Sequence, residues 1–189
     1  IFHGAIRRGL SGDNVGLAWL HSRVVILGHG PYAVEQARTA LEHDATSATF
    51  LVRRHGLICP AVIDYLNLVR PFTTDFAHPK DGSGFTLDLW RMAYALARAA
   101  PPETWERGVF RPDGHSVSVS DIYFVGHHAG ALRSERTLTC AFSRGGVHAE
   151  NGSFHAADIV LKCIGFEINE GNERILGRAR FESSGMVER

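Results

Sequence analysis

The sequence has no long hydrophobic run. None of its apolar stretches approaches the roughly 20 residues needed to cross a bilayer, and no signal-peptide pattern opens the chain. A charge of one sign is missing as well. Twenty acidic residues balance twenty basic ones, so there is no basic stripe to serve as an electrostatic footprint for nucleic acid. Cysteine is scarce: Cys59, Cys140 and Cys163 lie far apart with no C-x-x-C between them. That argues against a disulfide framework or a structural zinc site and fits a reducing compartment, with a cytoplasmic location the expectation. The eleven histidines follow no H-E-x-x-H spacing, so no metal is expected, and no G-x-S-x-G marks a serine nucleophile. An initiating methionine is also absent, and the opening on Ile1 leads us to expect a portion cut from something longer.

With 44% hydrophobic residues in 189, the chain can bury a core within one domain. Its organising stretch is Val24-Val25-Ile26-Leu27-Gly28-His29-Gly30-Pro31-Tyr32-Ala33. Four branched apolar residues in a row read as a buried parallel strand. A glycine-punctuated turn follows, then a helical pattern from Val34 to Glu42. Strand, G-x-G-x-x-A and helix in that order form the context in which a dinucleotide-binding fingerprint has meaning. Gly28 permits the tight turn, Gly30 lets the backbone approach a pyrophosphate, and Ala33 lets helix pack on strand. The N–H groups at the helix start then face the phosphates.

Ala48 to Val52 reads as a second buried strand, completing a βαβ unit. Classical sites for NAD place a carboxylate at the end of this strand to bind the ribose 2′-hydroxyl. Here Arg53 and Arg54 stand there instead, and guanidinium groups attract a 2′-phosphate and can bind it bidentately, so NADP(H) is expected over NAD(H). One of the two arginines is expected only to solvate the strand end. Further along, a short helix is expected over Pro60 to Val69, a loop over Phe72 to Gly84 and a helix over Leu87 to Ala100, closed by Pro101-Pro102. Asp121 to Val125 reads as a third core strand. Thr137 to Phe142 and Val147 to Ala149, with a turn at Ser143-Arg144-Gly145-Gly146 and the hairpin signal Asn151-Gly152, suggest a small antiparallel meander. Asp158 to Phe166 reads as a last buried strand ending in glycine.

Other candidates have competing roles. His127-His128, placed after the supposed third strand, suits a loop near the cofactor or an interface better than a metal, since neighbours on extended chain point apart. His29 either approaches a phosphate or the side of a neighbouring cofactor, or fills an exposed turn. Tyr32 either packs on the nucleotide or covers the sheet edge. Glu35 is assigned to the first helical turn, where a carboxylate complements the helix dipole. Cys163 reads as an inert core thiol, and the alternation of Ser and Val from Ser116 to Ser120 as a strand or turn edge.

Together these residues resemble the NADP-binding half of the two-dinucleotide flavoproteins, in particular flavin-containing and Baeyer–Villiger-type monooxygenases. Phe2-His3-Gly4 is similar to the family's F-x-G lead-in, GHGPYAVE from Gly28 to Glu35 to its second glycine motif, and Arg53-Arg54 to its 2′-phosphate grip. Asp158 to Phe166 is similar to the late strand that closes in A-T-G-Y/F. Two positions depart from the pattern: Arg8 stands for the histidine of F-x-G-x-x-x-H, and Ile164 for the threonine of the late motif. The first glycine-rich motif, which holds FAD in that family, has no counterpart here.

The resemblance implies an α/β, Rossmann-like three-layer FAD/NAD(P)-binding domain with a parallel sheet, a helical insertion and a small antiparallel meander. Residues 1–22 would lead in from a preceding FAD domain, 23–166 would form the NADP-binding domain with its insertion at about 60–102, and 167–189 would begin the return. It further implies NADP(H) held by Gly28, His29, Gly30, Pro31, Tyr32, Ala33, Arg53, Arg54 and Gly165, with FAD supplied by another portion of the same polypeptide. Hydride would pass from NADPH to flavin, and a small-molecule substrate would be oxygenated by molecular oxygen; no general base is identified in this chain. The alternatives are another FAD/NAD(P) oxidoreductase, such as a pyridine nucleotide-disulfide reductase, or a nucleotide-binding module without catalysis. A methyltransferase is less favoured, because Leu27 stands where an acidic residue would precede the glycines.

Overall fold

The computed structural model describes residues 2–3, 18–68, 79–102 and 117–165. The lead-in residues Gly4, Arg7, Arg8 and Ser11-Gly12-Asp13, together with Ser116, Phe166 and the 167–189 segment, lie outside the described residues. The elements in chain order are β1 (Phe2–His3), β2 (Arg23–Leu27), α1 (Pro31–Glu42), β3 (Ser47–Val52), β4 (Ile58–Cys59) and α2 (Ala61–Leu68). They continue with α3 (Pro79–Ala97), β5 (Ser118–Val119), α4 (Asp121–His128), β6 (Leu132–Arg136), β7 (Thr139–Ser143), β8 (Gly146–Ala149), β9 (Phe154–Ala156) and β10 (Ile159–Lys162).

Among the described residues the main sheet is parallel, in the order β1-β10-β2-β3-β6. Because β2 is buried on both faces, its side chains alternate between two cores. Val24 and Ile26 face a cluster containing Ala33, Val34, Ala37 and Ala40 of α1, Trp90 and Tyr94 of α3, and Tyr123 and Phe124 of α4. Val25 and Leu27 face Val147 of the antiparallel β7-β8-β9 meander on the opposite side. Helices, sheet and meander therefore make three layers, and burial on both faces explains why the strand reads as an unbroken apolar run. The short β4 gains from α3 the hydrogen bonds a longer strand would find in a neighbour. Trp90 Nε1 donates to the Ile58 carbonyl over 2.6 Å, and the Tyr94 hydroxyl accepts from the Ile58 N–H over 2.9 Å.

Two expectations are overturned. Asp121 to Val125 is helical, not the third core strand. The Ser120 hydroxyl accepts from the Tyr123 N–H and caps the first turn, with Asp121 beside it, so an apolar run that fits either structure is committed to helix. The strand neighbouring β3 is β6, a polar edge strand that the apolar pattern did not reveal. The loop expected over Phe72 to Gly84 is also corrected from Pro79 onward, where α3 already runs. The meander, its hairpin turn with Gly152 at φ +85° and the strand at Ile159–Lys162 occur as read.

Strand order reverses between β2, which leads to β3 on one side, and β10, which returns on the other. At the start of this pair, Asp158 accepts from the backbone N–H, Nε and Nη2 of Arg23 at 2.8, 3.0 and 2.9 Å. At its end, the Cys163 N–H donates to the Leu27 carbonyl over 2.8 Å, and Gly28 (φ +112°) lies so close that an added Cβ would collide with the Cys163 carbonyl oxygen. Gly28→Ala should therefore cost about 1–3 kcal/mol through strain and overpacking, read as a fall in thermal midpoint of roughly 2–4 °C per kcal/mol.

The Arg23 bonds also hold the Asp158 carboxyl down at about 2, chiefly through the guanidinium and then the backbone N–H. A depressed folded-state value means that the stabilisation is present above about pH 4, the ordinary carboxylate value, and is lost as pH falls through about 2. The pair is half-exposed and screened, so the effect is small. Asp158→Asn should lower the thermal midpoint at pH 5–7 and match the unsubstituted chain near pH 2, measured by thermal unfolding across that range.

Candidate functional site

In open parallel sheets, ligands bind where strand order reverses, beyond the carboxyl ends of the strands. Here that crevice lies past Leu27 and Lys162, and the structure brings Gly28, Gly30 and Gly165 to it. Gly30 is extended (φ −78°, ψ 177°) and precedes α1, with Pro31 in its first turn. A Cβ on Gly30 would meet nothing within 4 Å, so the space in front of the helix start is open. Having no side chain, Gly30 cannot cap the helix, and no acidic residue lies in the first turn. The N–H groups of Tyr32 and Ala33 therefore begin a 12-residue helix with its positive end toward the crevice. Ala33 is fully buried against the sheet, and Tyr32 packs partly buried against the same core. Gly165, with φ +110°, follows the other strand of the pair.

Glu35 needs correction: α1 starts at Pro31, so Glu35 lies beyond the first turn and pairs with Arg38 at 3.0 Å. His29 is not exposed turn filler. Its ring is buried beneath the turn, where Nδ1 accepts the Gly56 N–H over 2.8 Å and Nε2 lies 3.2 Å from the Tyr123 hydroxyl. Burial, with His55 and His127 nearby, pushes His29 down to about 3, so the ring is neutral.

Arg53 and Arg54 are both exposed just past β3, and they diverge in their surroundings. Arg53 lines an open cleft of about 380 Å³ with Arg136, Thr137, Leu138, Glu150 and Asn151, whereas Arg54 is not among its lining residues. Arg136 was missed at the sequence level, because its position is apparent only once β6 is placed beside β3, with Arg136 opposite Val52.

The His127-His128 pair splits. Both residues fall in the last turn of α4, not in a loop. His127 is buried and lies 2.9 Å from Ser134 Oγ through Nε2, while His128 Nδ1 donates to the Leu96 carbonyl over 3.0 Å. Among the described residues no group of three His, Cys, Asp or Glu side chains could hold a metal. Burial raises the thiols of Cys59 and Cys163 to about 12, so neither is a thiolate at neutral pH. Ser153, His155 and Glu135 cluster on the meander side, with Ser153 Oγ 2.8 Å and Glu135 3.4 Å from the same nitrogen, His155 Nε2. A nucleophilic triad needs the carboxylate on the other ring nitrogen, so this cluster cannot relay a proton from serine to carboxylate.

No protein-family model matches the sequence, and comparison with curated proteins gives no match. Solved structures do match. OTEMO in complex with FAD and NADP superposes with a TM-score of 0.56 at 14% identity, covering 88% of this chain and 42% of that one. An oxidized steroid monooxygenase bound to NADP gives 0.55 at 12% identity, with 86% and 42% covered. An open structure of cyclohexanone monooxygenase gives 0.53 at 13%, with 84% and 43% covered. The chain thus spans about two-fifths of the length of these proteins. The fold is the Rossmann-like, three-layer α/β fold found within these monooxygenases.

Proposed function

We propose that this chain is the NADP-binding portion of an FAD-dependent monooxygenase. The observation that carries the proposal is the turn at the sheet's reversal point, with open space at Gly30 before an α-helix start that no side chain caps, and arginines one strand away. A dinucleotide fits these residues: a diphosphate needs backbone N–H donors and no Cβ in its path, and both conditions are met.

Gly28, Gly30 and the N–H groups of Tyr32 and Ala33 would cradle the diphosphate. Pro31 fixes φ at the helix start, and Gly165 leaves the far wall of the crevice without a side chain. Arg53, at the cleft it shares with Arg136, would bind the ribose 2′-phosphate, with Arg54 the more peripheral of the pair. When bound, the nucleotide would supply hydride to FAD, which a further portion of the same polypeptide would hold, for oxygenation of a small molecule by molecular oxygen. This chain's part is to bind and orient the nucleotide. The bond-making would be left to the flavin.

A module that binds the nucleotide without turnover is the second reading, favoured by Ile164. It replaces the family's threonine, and its apolar side chain is 63% exposed beside the crevice.

Titration with NADPH and NADH, followed by nicotinamide fluorescence, tests the assignment. The chain should bind NADPH at least tenfold more tightly than NADH. Arg53→Ala should remove most of that preference, since one charge-assisted hydrogen-bonding group is worth about 1.5–3 kcal/mol. Arg54→Ala should remove less. A double variant that still prefers NADPH would overturn the 2′-phosphate assignment.

A further inference from the structure

The side chain between the two glycines of the turn does not face the ligand side. It points down into the protein and meets the loop that follows the arginines. Two contacts join these segments. The Gly56 N–H donates to His29 Nδ1 over 2.8 Å, and a Cβ on Gly56 would come within 2.8 Å of the His29 carbonyl oxygen. Gly56 is therefore pressed against His29 from both its backbone and its ring, only two residues beyond Arg54.

The ring has one orientation and one tautomer. Because Nδ1 accepts from Gly56, the proton of the neutral ring sits on Nε2, which donates to the Tyr123 hydroxyl oxygen over 3.2 Å. The Tyr123 hydroxyl, which accepts from His29, keeps its own hydrogen for another acceptor. At the far end, His127 Nδ1 must donate to the Tyr123 carbonyl over 2.8 Å, which leaves its Nε2 to accept from the Ser134 hydroxyl over 2.9 Å. Gly56 donates to His29 and His29 to Tyr123, while His127 donates to the Tyr123 carbonyl and accepts from Ser134; the other His29 tautomer would set its Nδ1–H against the Gly56 N–H. Phe50 closes the chamber, edge-on to His29 at 5.1 Å and stacked on His127 at 6.5 Å. The His29 ring is thus fixed by β3, α4 and β6 together, and cannot swing to follow a ligand.

We infer that His29 is a positioning residue that sets the separation between the diphosphate turn and the arginine loop, and so sets the discrimination between dinucleotides with and without a 2′-phosphate. This rests on the nucleotide assignment above. The turn itself is shaped by Gly28 and Gly30. The strut from His29 to Gly56 instead fixes where the guanidiniums stand relative to the turn, and a ligand lacking the extra phosphate does not need that spacing.

Three variants test this, with affinities for NADPH and NADH measured separately and folding followed by thermal midpoint. His29→Phe keeps the ring's volume but loses the bond to Gly56, and should narrow the NADPH preference at least fivefold while NADH affinity changes less than threefold. His29→Asn places an amide oxygen where Nδ1 stood and should retain the preference within twofold. Gly56→Ala leaves the histidine intact and wedges the loops apart, and should narrow the preference as His29→Phe does. A residue that merely stabilises the fold would lower the thermal midpoint and leave the ratio alone, or lower both affinities equally; either result overturns the proposal. Equal binding of NADPH and NADH by the unsubstituted chain would instead overturn the nucleotide assignment itself, and the strut's role in specificity with it.

Discussion

The close approach of β2 and β10 where both strands end is the constraint on which the crevice depends. The Leu27 carbonyl takes the Cys163 N–H, and Gly28 then lies against the Cys163 carbonyl with no room for a side chain. Here β2 and β10 stay this close past their last paired residues because Gly28 has no Cβ to meet the Cys163 carbonyl. With φ at +112°, Gly28 turns the backbone away, and α1 begins three residues later. The open space before the helix is thus a consequence of how the sheet ends. Arg23 and Asp158 guard the same strand pair at its other end, so the register of β10 on β2, which brings Gly165 beside the turn, is fixed from both sides.

The parts of the fold legible in the sequence are those in which burial leaves a pattern. Val24 to Leu27 and Ala48 to Val52 read as strands because both of their faces are covered, and the helix after the glycines reads from its alanines. The meander reads from its turns, since Asn151-Gly152 needs a particular backbone whatever surrounds it. What was not legible lacks such a pattern. β6 is Leu-Arg-Ser-Glu-Arg, with Leu132 its one fully buried side chain, and only pairing with β3 makes it a strand. Asp121 to Val125 carries an apolar run that suits either structure. The Ser120 hydroxyl caps the helix, whereas in the sequence Ser116 to Ser120 reads as a strand or turn edge. The glycine-rich start of α3 is helical against its local preference.

The site divides along the same line. Residues that would act through their backbone, Gly28 and Gly30, were legible because the absence of a side chain is visible in a sequence. His29 was not, because a polar residue between two glycines gives no sign of which way its ring points. Arg53 and Arg54 were equivalent in one dimension, and it is the cleft shared with Arg136 that separates them. Arg136 was hidden behind the unread strand it ends.

The buried hydrogen bonds also bear on where an attraction for an anion would arise. A protonated histidine beneath the turn would seem the obvious way to hold a diphosphate, yet the packing forbids it. Withdrawal from water and two neighbouring imidazoles hold His29 at about 3, and the Gly56 N–H pointing at Nδ1 leaves no place there for a second proton. His127 is likewise lowered by burial. Attraction for an anion at the turn would therefore have to come from backbone N–H groups and the helix dipole, which do not titrate, and at the strand end from the guanidiniums. Burying His29 and His127 uncharged costs little because each of their ring nitrogens has a partner of the right kind, whereas a buried cation would have to be compensated. The arrangement thus separates two tasks: neutral, directional hydrogen bonds fix the geometry from within, and groups of constant charge at the surface supply the field.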